Sequence, residues 1–250
     1  MTRPPARPRL RTALAACSMF LAASAALAQY PEIEYASPDQ SVWTARVNDK
    51  GEPDNPLFRL AAELFAKAGI PWHGRTYPAA RMFRYLQDGT AQFSILVKAP
   101  ALQSCCLLSR KPVAKADLRV YRLGALTPIH SREELAGHSV IVVRGYSYAG
   151  LKDFLADPRN RVTAYEAPTH TAAFRMLASG RADYLIDYVG PAAETLAVEP
   201  LSGVQSDSLS QQEVFLVLSR TYPDAEKVMA RLEAIADSLD KDKLLSHIAK

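Results

Sequence analysis

The sequence has little with which to hold a metal. Its five histidines are scattered, and beyond residue 28 its only cysteines are Cys105 and Cys106, with no C-x-x-C. That pattern gives no support to a zinc-type site, and no metal is expected. Neighbouring residues sit ~3.8 Å apart at Cα, below the usual ~4.4 Å minimum for a disulfide. A bond between the two cysteines would be strained, and they read as two small buried hydrophobes. A phosphate loop of the form G-x-x-x-x-G-K-[ST] is missing, and no cofactor is expected. Charge of one sign is missing too: of 30 Lys and Arg, four lie in the first 28 residues, and the 26 that remain match the 26 Asp and Glu. A formally neutral chain gives no electrostatic ground for nucleic acid. After residue 28 no apolar run approaches the ~18 residues that span a bilayer, so no membrane insertion is expected of the remaining chain. Repeats and low-complexity tracts are also missing.

What is present begins with MTRPPARPRLRTALAACSMFLAASAALA, which has four arginines, no acid, an apolar stretch from Ala13 to Leu27 and Ala26-Leu27-Ala28 before Gln29. This pattern predicts a secretory signal peptide over residues 1–28 and an exported chain. A rival segment, Leu14-Ala15-Ala16-Cys17, has the form of a lipidation site. Only a short apolar run precedes Cys17 and a longer one follows, so the sequence favours soluble export over a lipid anchor.

Strands and helices then alternate. Ile33 to Ala36 is extended, and NPLFRLAAELFAKAG is the clearest helix. In it Asn55 caps, Pro56 takes the first helical position, Leu57, Leu60, Ala61, Leu64, Phe65 and Ala68 form one face, and Gly69 ends the turn. A strand around Trp72 to Thr76, a helix from Pro78 closed by Gly89 and a strand from Phe93 to Val97 follow, before an irregular stretch over residues 100–117 and a strand from Leu118 to Leu123. The second half repeats the plan. It has a capping box at Ser131 to Glu134, a strand from Ser139 to Val143, a helix from Ser147 to Leu155 and a strand from Arg161 to Tyr165. A helix capped at Thr169 or Thr171, a strand from Tyr184 to Asp187 and a helix from Pro191 to Ala197 continue it. Residues 198–212 read as a loop, and a strand from Val214 to Leu218 and a helix from about Asp224 to Leu239 complete the pattern. Such alternation predicts an α/β fold of two lobes, each a mostly parallel sheet flanked by helices, with a cleft between them.

The helix NPLFRLAAELFAKAGI, the segment YPAARMFRYLQDGTAQFSILV, the strand and turn LAGHSVIVVRGYSY and the segment MLASGRADYLIDY, in this order, resemble the periplasmic solute-binding proteins of family 3, receptors of polar amino acid ABC transporters. The resemblance covers essentially the whole chain after residue 28. It implies a type II periplasmic binding protein fold with a discontinuous first lobe (29–121 and 220–250) and a second lobe at 122–219, crossed near Tyr121 to Gly124 and Leu218 to Arg220. It also implies a periplasmic location and a small polar solute, an amino acid or related amine or carboxylate. The partner would be an ABC permease or a membrane sensor. The branch is a divergent one. Where the family carries a threonine-rich turn and a carboxylate-gripping arginine, this chain has VKAPALQSCCLLSR, with Lys98 and no arginine before Arg110.

Seven residues are candidates for ligand contact. Gly145, Tyr146 and Ser147 lie after a buried strand, where open α/β sheets present a ligand crevice. Glycine there permits close backbone approach, and Ser147 alternatively serves as an N-cap. Asp187 ends an apolar strand, where an unpaired carboxylate is costly, and it falls where the family places the aspartate for a ligand ammonium. Arg81, in the first turn of a helix, stands against the helix dipole and suggests an anionic partner. Lys98 at a strand end is a second anion contact, and Trp43 is an aromatic cover. Tyr35 is a weaker cover, and the strand's alternation turns Tyr188 away from Asp187. A catalytic role has less support. Glu166 is the one further carboxylate that could act as an acid or base on this fold, and His170 reads as an exposed residue at a helix start. The expectation is therefore a binding protein with no catalytic residue. A dehydratase-like enzyme and a transporter-independent ligand sensor are the alternatives.

Overall fold

The computed structural model describes residues 30–51 and 54–245, so the leader over 1–28 and Cys17 lie outside the described residues. The chain runs β1 (Ile33–Pro38), α1 (Pro56–Ala68), β2 (Trp72–Tyr77), α2 (Ala79–Asp88), β3 (Phe93–Val97), β4 (Cys106–Leu108), β5 (Ala114–Leu123) and β6 (Ser139–Val143). It continues with α3 (Leu151–Ala156), β7 (Thr163–Ala167), α4 (His170–Ala178), β8 (Tyr184–Tyr188), α5 (Val189–Val198), β9 (Val204–Ser219), α6 (Ala225–Ser238) and α7 (Lys241–Leu245). The first helix follows the sequence closely. Asn55 accepts from the Leu57 N–H at 2.9 Å, the expected face is buried, and Gly69 ends the helix at φ 62°.

The strands order as β2-β1-β3-β9-β5-β8-β6-β7, with β4 also on β9. Within this order are two parallel groups, β1 with β2 and β3, and β6 with β7 and β8. Between them run β5 and β9, antiparallel to each other and to their outer neighbours. The link between the groups is thus spread along two long strands. β9 pairs Val214–Leu218 with β3 and its earlier residues with β5, and its register against β5 shifts at Leu118/Arg119, leaving Leu209 unmatched. A bulge of this kind bends the strand where it leaves one group for the other.

Three expectations change here. Residues 198–212 are not one loop, because β9 starts at Val204. Its stretch VQSDSLSQQE lacks an apolar face, and it is held by main-chain pairing with β5. Residues 100–117 contain β4 and the start of β5. The helix expected from Ser147 starts only at Leu151, after a turn described below.

Each parallel group has its own apolar packing. In the first, Phe65 of α1 meets Phe93 edge-on at 4.8 Å between centroids, and Tyr35 meets Phe93 at 5.5 Å. Tyr35 is 1% exposed, so it belongs to this core and not to a ligand surface. Fully burying one such ring stabilises the fold by roughly 1.5–3 kcal/mol. Cys106 packs with Met82, Leu86 and Leu102 under α2, and Cys105 lies at the edge of that cluster. Both are free thiols with their sulfurs in contact, and burial pushes the Cys106 thiol well above its ordinary range. In the second group Val140 and Ile141 of β6 and Leu185 and Ile186 of β8 are fully buried. Among the described residues no helix is long and apolar enough to cross a membrane.

Candidate functional site

The turn after β6 has an unusual backbone. Gly145 stands at φ 88° and Gly150 at φ 94°, and between them Tyr148 and Ala149, at φ 49° and 54°, take the left-handed conformation that side chains disfavour. Two such residues in sequence cost on the order of 1–3 kcal/mol each and persist only where the surroundings hold them. Here the holder is Tyr148 itself. Its Oη accepts from the Val143 N–H at 2.7 Å and donates to the Ile186 carbonyl at 3.4 Å, while its ring stacks on Tyr188 at 5.8 Å and 18°. The strain delivers a buried aromatic ring to the end of β6. Gly145 is needed for a second reason: a Cβ there would lie 2.9 Å from the Ala79 Cβ, at the start of α2 in the other group.

Behind the turn lies a buried chain of three polar side chains. Tyr146 Oη is 3.2 Å from His170 Nε2, and His170 Nδ1 is 2.9 Å from each carboxylate oxygen of Asp187. Tyr146, His170 and Asp187 are 8%, 2% and 0% exposed. The carboxylate can only accept, so His170 donates from Nδ1; whether its Nε2 takes the Tyr146 hydroxyl proton or gives one, the Tyr146 oxygen keeps a lone pair for another donor. Burial, reinforced by Asp187, pushes the hydroxyls of Tyr146, Tyr148 and Tyr188 well above the ordinary phenol range, so all three remain protonated. His170 is therefore not the exposed residue expected from sequence. Thr169 caps α4, its hydroxyl oxygen accepting from the Ala172 N–H at 3.1 Å, and this places His170 at the first helical position with its ring buried.

Between the two groups is a cavity of about 40 Å³. Pro38, Ser41, Leu57, Met82 and Phe83 line it from the first group; Gly145, Tyr146, Ser147, Tyr148 and Tyr188 line it from the second. Every residue that lines it is uncharged. At ~10–15 Å³ per water it has room for roughly three. Tyr188 lines it, and its Oη is buried without a hydrogen-bond partner, a condition that costs roughly 1–3 kcal/mol for a polar group. A second cavity, about 460 Å³, is lined by Lys98, Lys115, Gln212 and Glu213 and by Ala149 of the same turn.

A carboxylate ties the groups together beside this cleft. Glu194 of α5 accepts from Thr44 Oγ1 at 2.5 Å and from the N–H groups of Ala45 and Arg46 at 2.6 and 3.0 Å, and its other oxygen lies 3.0 Å from Arg46 Nε. Charge-assisted bonds of this type are about twice as strong as neutral ones.

The structure gathers Gly145, Tyr146 and Ser147 on the inner cavity. Ser147 makes no cap bond there. Asp187 lies behind them, satisfied by His170 and by the Tyr188 N–H at 2.8 Å. Lys98 lines only the larger cavity, and Arg81 is exposed on α2 away from both. Trp43 turns to the end of α7, where its indole N–H meets the Leu245 carbonyl at 3.4 Å. Glu166 is bound by Lys152 at 2.6 Å, with Arg144 at 3.7 Å, and these cations hold its carboxyl below the usual range. The residues missed from sequence are Tyr148, Tyr188, His170 and Glu194. Strand alternation past Asp187 was the signal for Tyr188: the two side chains do part, and Tyr188 takes the cleft side.

No family model matches the chain, and no curated protein matches it in sequence. Solved structures do match in shape. An ancestral arginine-binding protein bound to arginine aligns with a TM-score of 0.69 at 16% identity, over 87% of this chain and 96% of that one. A histidine kinase sensor domain with similarity to periplasmic binding proteins aligns at 0.70 and 15%, over 87% and 93%. The substrate-binding protein of an amino acid ABC transporter aligns at 0.65 and 14%, over 86% and 97%. The fold is the two-lobed α/β fold of periplasmic binding proteins.

Proposed function

We propose, taking that fold as the premise, that the chain is an exported solute-binding protein that captures a small molecule between its two lobes. The boundaries we propose are 29–121 with 220–250 for the first lobe and 122–219 for the second. The observation that carries the reading is the cavity walled by both lobes, with a lining tyrosine, Tyr188, whose buried hydroxyl has no partner. A cleft of this kind is the default ligand site of an α/β protein. The cavity is too small for a solute as it stands, so entry requires the lobes to part about β5 and β9, and binding follows from a difference in affinity between open and closed states. Glu194 and its donors favour closure without touching the cavity. The site comprises Gly145, Tyr146, Ser147, Tyr148 and Tyr188, and His170 and Asp187 position Tyr146.

Turnover has less support than binding. The Tyr146, His170 and Asp187 chain has the order of a nucleophile, base and orienting group, but Tyr146 is buried and the same burial disfavours the phenolate that attack would require. The fold occurs both in a transporter's receptor and in a kinase sensor domain, so an ABC permease and a membrane sensor are the two partners to test. A thermal-shift screen of the purified protein, followed by mass analysis of any retained compound, tests the reading. A ligand at 100 times its Kd adds ~2.7 kcal/mol. Conversion of a stabilising compound to product would refute binding as the function.

A further inference from the structure

The inner cavity also carries information about what it takes. We infer that its solute is a neutral, largely apolar or aromatic molecule with one hydrogen-bonding group, such as an amide, alcohol or phenol, and not a zwitterionic amino acid. This rests on the solute-binding reading above. A zwitterion brings a carboxylate and an ammonium into the closed cleft, and each costs several kcal/mol there unless it finds an opposite charge or several donors. The cavity offers no opposite charge. None of its lining residues is charged. Of the two carboxylates that act on Tyr146, Asp187 has both oxygens on His170 and one also on the Tyr188 N–H, and Asp39, next to the lining Pro38, is exposed and accepts from the Gln40 N–H.

Other polar groups of the lining are similarly engaged. Asn55 caps α1 with its oxygen and donates to Ser41 Oγ at 2.8 Å, and the same Ser41 oxygen accepts from the Trp43 N–H at 3.0 Å. Tyr148 has both its bonds. What remains is the Tyr188 hydroxyl and a lone pair on Tyr146, whose rings stand 5.7 Å apart and edge-on, together with the Ser147 hydroxyl, which makes no cap bond. These hydroxyls suit one donor or acceptor group at the end of an apolar body. Met82, Phe83, Leu57 and the tyrosine faces supply the apolar contact, and thioether and ring edges suit an aromatic one. The cations and anion of the larger cavity, Lys98, Lys115 and Glu213, are exposed and remain in water.

The test is titration calorimetry of the purified protein with benzamide and 4-methylphenol as neutral probes and with L-arginine and L-glutamine as zwitterions. We expect saturable binding of a neutral probe, weakened about tenfold by Tyr188→Phe through loss of one buried hydrogen bond. The melting temperature of that variant should not fall, because the hydroxyl it removes has no partner in the ligand-free protein. Binding of the zwitterions alone would overturn the inference and leave the solute-binding reading standing. So would neutral-probe affinity that is unchanged in Tyr188→Phe. If neither set binds and small-angle scattering shows no compaction with any of the four, the solute-binding reading falls and the inference with it.

Discussion

Replacing His170 by alanine removes the donor that faces both oxygens of Asp187, a carboxylate with 0% exposure. The Tyr188 N–H stays, but one main-chain donor does not replace a buried imidazole. Breaking a buried pair from one side costs about 3–5 kcal/mol, mainly through the charge left behind. For a domain of 150–250 residues 1 kcal/mol corresponds to ~2–4 °C, so His170→Ala should lower Tm by roughly 6–20 °C. The assay is thermal unfolding by circular dichroism, run beside Asp187→Asn and the double variant. Asp187→Asn keeps an acceptor and carries no charge, so it should lose less than His170→Ala. The double variant should lose less than the two single losses together, because no buried charge remains in it. A Tm for His170→Ala within about 2 °C of the parent, or strict additivity, would refute the assignment of His170 and Asp187 as one coupled unit.

Glu194→Ala deletes the acceptor shared by Thr44, Ala45 and Arg46. It should raise the ligand-free radius of gyration in small-angle scattering, and an unchanged radius would show that closure is held elsewhere. Gly145→Ala places a methyl 2.9 Å from the Ala79 Cβ at φ 88°, and a loss of about 1–3 kcal/mol is expected from the urea midpoint. Asp157 is held at about 2, below its 3.8 reference, by bonds from Arg159, and Glu166 is held below its ordinary range by Lys152. A lowered folded pKa means that this stabilisation is complete above the unfolded value and is lost as pH falls through the folded one. Acid titration should therefore show stability declining from about pH 4 toward pH 2. Because both carboxylates are on or near the surface, 1 M salt should flatten that slope.

Local signals were legible in proportion to how local their causes are. Asn55, Pro56 and Gly69 fix α1 through bonds within a few residues, and its apolar face reads directly as a 3.6-residue period. The buried strands β3, β6 and β8 read as apolar runs. Gly145 is similarly legible, because a strand followed by glycine and a helix signal marks a crevice edge. That a carboxylate ending the apolar strand β8 needs a partner was legible at Asp187, but His170 as that partner was not, since it comes from another element and its inward turn depends on which threonine caps α4. β9 was read partly as loop because main-chain pairing, and no side-chain pattern, holds its first half. Glu194 carries no signal at all in its own neighbourhood. Its meaning lies in the Thr44 hydroxyl and the N–H groups of Ala45 and Arg46, about 150 residues away in the chain.

The position of β9 also sets an order on folding. β3, with the sequence FSILV, touches β1 at a single register pair, and its full-length partner is Val214–Leu218. Until those residues arrive, a short strand without charge offers unpaired main-chain groups along one edge, the condition under which strands join other chains. The first parallel group therefore stays incomplete through the synthesis of the whole second group. A cell making this protein must keep β3 from wrong partners for that interval, and a chain stalled before residue 214 should aggregate where the finished one does not.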